Sequence, residues 1–564
     1  MKTSSHSGKS RWPWLAVVAF VALLLGFQLF PSSLREQAAA QQPPAVAPRA
    51  VPSVRAVPSA PPVSVQVQSL AQQPALPVLD VARDFGAKGN GQSNDTGAFA
   101  RLAREVNRRG GGVEILIPPG QYIVGGQVSN GRNADNNVYR FDGIDVLALV
   151  NCSRPVRIEG AGAVLRLPAG MKFGSFNRAG SRLDPPLPFW DVAQSAITGY
   201  LVSAVGCADV SVHGLELDGN NTHYELGGLW GDRDRQCRSY GFYFNLCKRV
   251  TLDGVSAHHF GLDGLYIKQD GLKEGGPATP HTLRDCRFEW NGRQGLSWCG
   301  GIGLRAERCS FAHTGYAVNL ESGQPLSNAP AAGVDIEAER SVCRDGQFVD
   351  CDFFHTRGPN LYSETGDNAG VSFERCRFWN FDNYSIVPHN PRLSFTDCRI
   401  YGSAISAFSS KARPQDATHF VRCAFEDKKH PTLGAPFVDP YGSLLAFDDL
   451  HAGLLFQDCT FVAHNVKGPF IRDPRGGETD GFTIDGGSMR LEHWNGPGES
   501  AATLQGGRVR NFQIQSAWQN PAAPSGLHIW TNNQTLVGQN VSVEGPGLVW
   551  RAPGGERGAL RAQE

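Results

Sequence analysis

The feature that most constrains this chain is a short phrase that returns through its middle: a polar pair, a cysteine, one further residue, then an aromatic or apolar residue. It reads Asp285-Cys286-Arg287-Phe288, Arg308-Cys309-Ser310-Phe311, Asp350-Cys351-Asp352-Phe353 and Arg375-Cys376-Arg377-Phe378. It continues as Asp397-Cys398-Arg399-Ile400, Arg422-Cys423-Ala424-Phe425 and Asp458-Cys459-Thr460-Phe461. The cysteines step by 23, 42, 25, 22, 25 and 36 residues. A repeat of this length is one supersecondary unit that buries its apolar side only by stacking on its neighbours, and the longer steps mark inserted loops. Within a phrase the cysteine and the aromatic lie two apart, so on a strand they share one face while the residue between them points away. The thirteen cysteines therefore read as a ladder of buried thiols. Disulfides need a particular torsion as well as proximity, and the absence of a Cys-x-x-Cys pair argues against a metal site built on cysteine.

A second strand precedes most phrases: Gly264-Leu-Tyr-Ile-Lys268, Gly295-Leu-Ser-Trp298, Gly333-Val-Asp-Ile-Glu337 and Asn360-Leu-Tyr-Ser-Glu364. Alternation turns Tyr266, Lys268, Ser297, Asp335, Glu337, Tyr362 and Glu364 outward. Stacked in register, these residues make one polar face with interleaved aromatics, suited to an extended sugar polymer.

The start of the folded region carries its own signals. Asn94 or Asp95 is placed to cap a helix whose apolar positions are Phe99, Leu102, Ala103 and Val106, and Gly110-Gly111-Gly112 ends it. Two short strands, Val113–Ile117 and Gln121–Val124, then flank Pro118-Pro119-Gly120. The block Asp84-Phe85-Gly86-Ala87-Lys88-Gly89-Asn90-Gly91, with Asn94-Asp95-Thr96 and the later Pro-Pro-Gly-Gln-Tyr, resembles the N-terminal cap of pectate-lyase-like proteins. The resemblance implies an all-β, single-stranded right-handed parallel β-helix with a short N-terminal capping helix. Polygalacturonase-like hydrolases, mannuronan epimerase modules and phage tailspikes share that cap, so it implies architecture without fixing a reaction. It also makes a homotrimer an expectation.

The expected layout is an export segment over 1–30, a Pro/Ala-rich linker over 31–77, the cap over 78–125, the β-helix over 126–552 and a tail over 553–564. Lys2, Lys9 and Arg11 precede an apolar run from Trp14 to Phe30, which reads as a signal anchor, or a signal peptide cut near Ala38-Ala39-Ala40. The linker composition cannot pack a core. The chain is thus expected to be exported to the periplasm or cell surface, with the membrane as a partner through this segment. Lys+Arg and Asp+Glu are both 53, which gives no basic surplus for nucleic acid.

Three reactions fit the polar face. A glycoside hydrolase needs two carboxylates, here drawn from Asp335, Glu337 and Glu364. A lyase or C5-epimerase acting on a uronate needs a base and a cation to neutralise the carboxylate. Lys268, Tyr266, Arg293, His258 and His259 suit those roles by type, and Arg293 could grip a carboxylate through a two-pronged contact. Leu215–Asn220 through Gly261–Gly264 is similar to mannuronan epimerase modules, but their Asp-Pro-His-Glu motif is absent. Gly261–Lys268 resembles the acid region of polygalacturonases, with Asp263 matching one acid, Leu262 where a partner would stand, and the Gly-His-Gly and Arg-Ile-Lys signatures missing. His258, His259, Asp263, Tyr266 and Tyr362 are accordingly expected to bind substrate. No cofactor is expected; Ca²⁺ lacks a compact Asp cluster, and His258-His259 lacks the third ligand a metal needs. A protein that binds surface polysaccharide without reacting with it is the alternative.

Overall fold

The computed structural model describes residues 76–132, 139–174, 176–182, 198–227, 237, 239–410, 412–440, 444–446 and 453–464, and strand segments between 471 and 551. The expected export segment, almost all of the linker and the tail lie outside the described residues. Among the described residues no helix is long and apolar enough to cross a membrane. Chain contacts separate Met1–Gln73 from Pro74–Glu564, and the second unit is the one described here.

Short strands with β-branched and aromatic residues at alternate positions cannot bury their inner faces alone. Here each coil of the chain lays down three such strands, and successive coils pair parallel and in register. One coil, for example, runs Val250–Asp253, then Ser256–His258, then Asp263–Lys268. The next runs His281–Arg284, Arg287–Glu289 and Gln294–Trp298. These three positions generate a first, a second and a third ladder. The third is an eleven-stranded sheet from Leu147–Val150 to Ile471–Arg472. The chain is a single-stranded right-handed parallel β-helix.

The capping helix spans Thr96–Arg109 and buries Ala98, Phe99, Leu102, Ala103 and Val106. Gly110 ends it in the left-handed conformation, which a residue without Cβ adopts at little cost. The cap itself differs from the expectation. Asp95 sits at the N-cap position but its carboxylate accepts the Lys88 and Gly89 amides at 2.8 and 3.0 Å. Asn94 Oδ1 instead accepts the Thr96 amide at 3.0 Å.

All thirteen cysteines are buried free thiols. The repeat phrase, however, does not lie within one strand in most coils. Its cysteine sits at the corner between first and second ladders, and the residue before it takes a positive φ in every phrase: Asp285, Arg308, Asp350, Arg375, Asp397, Arg422 and Asp458, between 51 and 55°. That bend leaves strand-end carbonyls facing inward, and the small thiol donates to them. Cys376 Sγ is 3.4 Å from Phe348 O and 3.5 Å from Glu374 O, and Cys398 and Cys423 repeat the pattern. A larger apolar residue would crowd the corner and leave the carbonyls unmet. On the outside, the bend residues alternate in charge. Arg308 forks onto Asp285, Arg375 onto Asp350 and Arg422 onto Asp397.

Inside, the phrase aromatics stack from Phe288 through Phe311 and Phe353 to Phe378, with Phe353 and Phe378 centroids 4.4 Å apart, and again from Phe425 to Phe461, with Ile400 between the two runs. A second column, on the first ladder, was not anticipated. Phe348, Phe373, Phe395, Phe420 and Phe456 stack at 5.0, 4.8, 4.9 and 5.1 Å with near-parallel rings. Its signal is a phenylalanine three residues before each of Cys351, Cys376, Cys398, Cys423 and Cys459. Such pairs add about 0.5–1.5 kcal/mol each beyond burial.

Candidate functional site: the outer face of the third ladder

The strands expected to form a polar face do stack in register. Asp263 pairs with Gln294 and Tyr266 with Ser297. Ser297 pairs with Asp335, and Asp335 with Tyr362. Inner positions Leu265, Leu296, Val334 and Leu361 are fully buried, so alternation turns Tyr266, Ser297 and Asp335 outward. The face is not the open, solvated surface the sequence suggests. Tyr266 is 7%, Ser297 2% and Asp335 4% exposed. Polar side chains here form a covered floor, with Lys268, Glu337 and Tyr362 half-buried and Glu339 and Glu364 exposed above it.

Three constellations share this floor. In the first, the Arg293 guanidinium forks onto Asp263 through Nε at 2.9 Å and Nη2 at 2.6 Å. Arg293 thus grips a carboxylate as expected of its type, but the carboxylate is the protein's own. Asp263 is fully buried, and a carboxylate there needs a cation and hydrogen bonds to replace water. Ser297 Oγ lies 2.9 Å from Asp263 Oδ2 and also contacts Gln294 Oε1. Its one proton serves either acceptor.

In the second, Gln294 Nε2 donates to Asp335 Oδ2 at 2.5 Å. Asp335 Oδ1 is buried and meets no hydrogen-bond partner among the described residues. Burial first, and the nearby charge of Glu337 second, push the Asp335 carboxyl well above the usual carboxylate range. Arg293 opposes that shift without reversing it. Asp335 therefore holds its proton more tightly than an ordinary carboxyl, next to Glu337, the kind of environment that separates an acid from a base in two-carboxylate sites. Glu337 accepts from Thr365 Oγ1 at 2.7 Å, and Tyr362 donates to Glu364.

In the third, the Tyr266 hydroxyl donates to Glu339 Oε2 at 3.0 Å. Lys268 Nζ lies 3.1 Å from Asp270 and 3.5 Å from the same Glu339 oxygen. Burial raises the Tyr266 phenol well above its ordinary range, which keeps it protonated. Beside Tyr266 stand three tyrosines from earlier coils that sequence reading did not single out. Tyr243 stacks on Tyr266 at 5.4 Å, Tyr200 on Tyr243 at 4.8 Å and Tyr240 against Tyr266 at 5.4 Å. Tyr243 falls on Ser239–Asn245 in register with Tyr266, so continuing the outward positions back one coil would have found it, whereas Tyr240 and Tyr200 pair with each other three residues before Tyr243 and Ser203, off that alternation. Asp270 lies in a turn beyond Asp263–Lys268 and Glu339 on the strand Ala338–Arg344, outside the third ladder, so alternation along the third ladder gives no signal for either.

His258 and His259 do not join this face. They lie on the second ladder and at its bend into the third: His258 ends Ser256–His258 and His259 follows with φ 57°.

No protein-family model and no curated protein matches the sequence. Among solved structures the chain is similar to the A-module of mannuronan C-5 epimerase AlgE6 from Azotobacter vinelandii, at 15% identity over 84% of this chain and 99% of that one, with a TM-score of 0.34. It is also similar to the tailspike protein gp49 of Pseudomonas phage LKA1, at 10% identity over 82% and 81%, with a TM-score of 0.37. The N-terminal fragment of bacteriophage Phi29 gene product 12 aligns at 13% identity over 85% and 73%, with a TM-score of 0.39. Likenesses at this level assign no reaction.

Proposed function

We propose that the protein is a polysaccharide-active enzyme that works outside the cytoplasm and hydrolyses its substrate on the outer face of the third ladder. The observation that carries this reading is Asp335, a buried outward-facing carboxyl pushed well above the carboxylate range, with Glu337 two residues along the chain as the second cause after burial. Asp335 donates its proton to the glycosidic oxygen as the C–O bond breaks. Glu337 takes a proton from the water that attacks the anomeric carbon, so the pair exchanges one proton per turnover and water is the only co-reactant. The tyrosine platform supplies faces on which sugar rings stack. Buried, hydrogen-bonded thiols suit an exported chain, because oxidation requires an accessible thiolate.

A second reading, a uronate lyase, is favoured by one observation: Tyr266 and Lys268 converge on the same Glu339 oxygen. There Lys268 would neutralise the substrate carboxylate, the Glu339 carboxylate would take the C5 proton, and Tyr266 would deliver a proton to the leaving oxygen as the C4–O bond breaks and the C4–C5 double bond forms.

The full-length chain in mild detergent, incubated with uronate-containing and neutral polysaccharides, distinguishes these readings. Hydrolysis gives new reducing ends without absorbance of unsaturated uronate, and Asp335→Asn abolishes it while Lys268→Ala leaves chemistry in place. Absorbance rising with the new ends overturns hydrolysis in favour of the lyase. No new ends from any polymer overturns both and leaves epimerisation or binding.

A further inference from the structure

On the second ladder, outside the groove, three side chains that are far apart in the chain come together. Asp218 ends the strand Glu216–Asp218, His258 ends the strand one coil on, and Asp218 pairs with His258 in register. His259 follows at the bend. One ligand-type atom from each of Asp218, His258 and His259 lies within 4.8 Å of the others. His258 Nδ1 is 2.8 Å from His259 Nδ1 and 3.7 Å from Asp218 Oδ1. Two imidazole nitrogens that face each other so closely must share one proton between them or a cation.

The surroundings hold each group in that posture. Glu216 Oε1 lies 3.3 Å from His258 Nε2, so the far nitrogen of the ring carries the proton and Nδ1 presents its lone pair inward. That carboxylate–histidine arrangement is the usual outer support of a metal ligand. Arg166 Nε holds Asp218 Oδ2 at 2.7 Å and leaves Oδ1, which also takes the Asn220 amide at 2.8 Å, facing the histidines. Trp290 lies parallel to His259 at 6.1 Å and fixes its ring.

We propose that Asp218, His258 and His259 form a binding site for a divalent transition metal of the zinc type, completed by water. Two imidazoles and one carboxylate match zinc, whereas Ca²⁺ and Mg²⁺ take oxygen ligands throughout. Zinc–nitrogen bonds of about 2.0–2.1 Å in tetrahedral geometry require the two Nδ1 atoms to part only slightly. The sequence pair His258-His259 lacked a third ligand; the preceding coil provides it.

The test is titration of the full-length, chelator-treated chain with Zn²⁺ by calorimetry, and with Co²⁺ by visible absorption. The expected result is one ion per chain with tetrahedral cobalt bands and no thiolate charge-transfer band. His258→Gln and His259→Gln should abolish binding. Glu216→Gln, whose side chain is half-buried and outside the ligand set, should fold normally and weaken binding about 10–100-fold. Absence of one-to-one binding, a thiolate band that places the ion on cysteine, or an affinity unmoved by Glu216→Gln and both histidine variants overturns the proposal.

Discussion

Removing one partner of the Arg293–Asp263 pair should destabilise the β-helix far more than removing both. Asp263 is fully buried and the Arg293 side chain is 16% exposed, so solvent screens the pair little. Asp263→Ala takes the two-pronged acceptor from the Arg293 guanidinium and one acceptor from Ser297. Arg293→Ala leaves a buried carboxylate with the Ser297 hydroxyl alone. The two contacts at 2.9 and 2.6 Å are charge-assisted, worth about 1.5–3 kcal/mol each, and stranding a buried charge costs about 3–5 kcal/mol. Each single variant is therefore expected to lose about 3–5 kcal/mol. The double variant Asp263→Leu/Arg293→Met keeps volume, carries no stranded charge and should lose less than either. Urea denaturation followed by tryptophan fluorescence measures this, with a second probe checking that the stacked coils unfold in one transition. Singles that each lose under about 1 kcal/mol, or a double that equals their sum, would refute the reasoning.

Other consequences are equally direct. Asp335 binds its proton more tightly in the folded chain than in the unfolded one, so its contribution to stability is full below the unfolded value near 4 and is lost as pH rises through the folded value. Asp335→Asn should flatten that decline, which denaturation midpoints at several pH values will show. Phe353→Ala opens a hole beside Phe378 and Phe311, 4.4 and 5.3 Å away, and should cost about 3–5 kcal/mol by the same urea assay. Native protein should resist iodoacetamide at all thirteen thiols and gain thirteen adducts once unfolded, by intact mass. Arg375→Val, placing a β-branched residue at φ 52° and removing the fork onto Asp350, should lower stability by more than Arg375→Gly, where the bend costs nothing.

What could be read in the sequence was what depends on neighbours along the chain. Inward and outward sides of a strand follow from a period of two, so the third ladder was legible from Gly264 to Glu364, and the repeat showed that the phrase cysteines and the residues two beyond them are buried from Cys286 to Phe461, but neither the corner that holds each cysteine nor the phenylalanine column of the first ladder. The capping helix was legible from its 3.6-residue spacing. Contacts between coils depend instead on the lengths of the loops that separate them, and on which loop folds over which face. Asp218 lies beside His258, and Arg293 on Asp263, only because each coil closes with its strands in register. Asp335 reads from alternation as a solvated surface carboxylate. It becomes a buried acid because neighbouring coils and the segment beyond the third ladder enclose the outer face, and burial, a property of the assembled coil, decides which carboxyl keeps its proton.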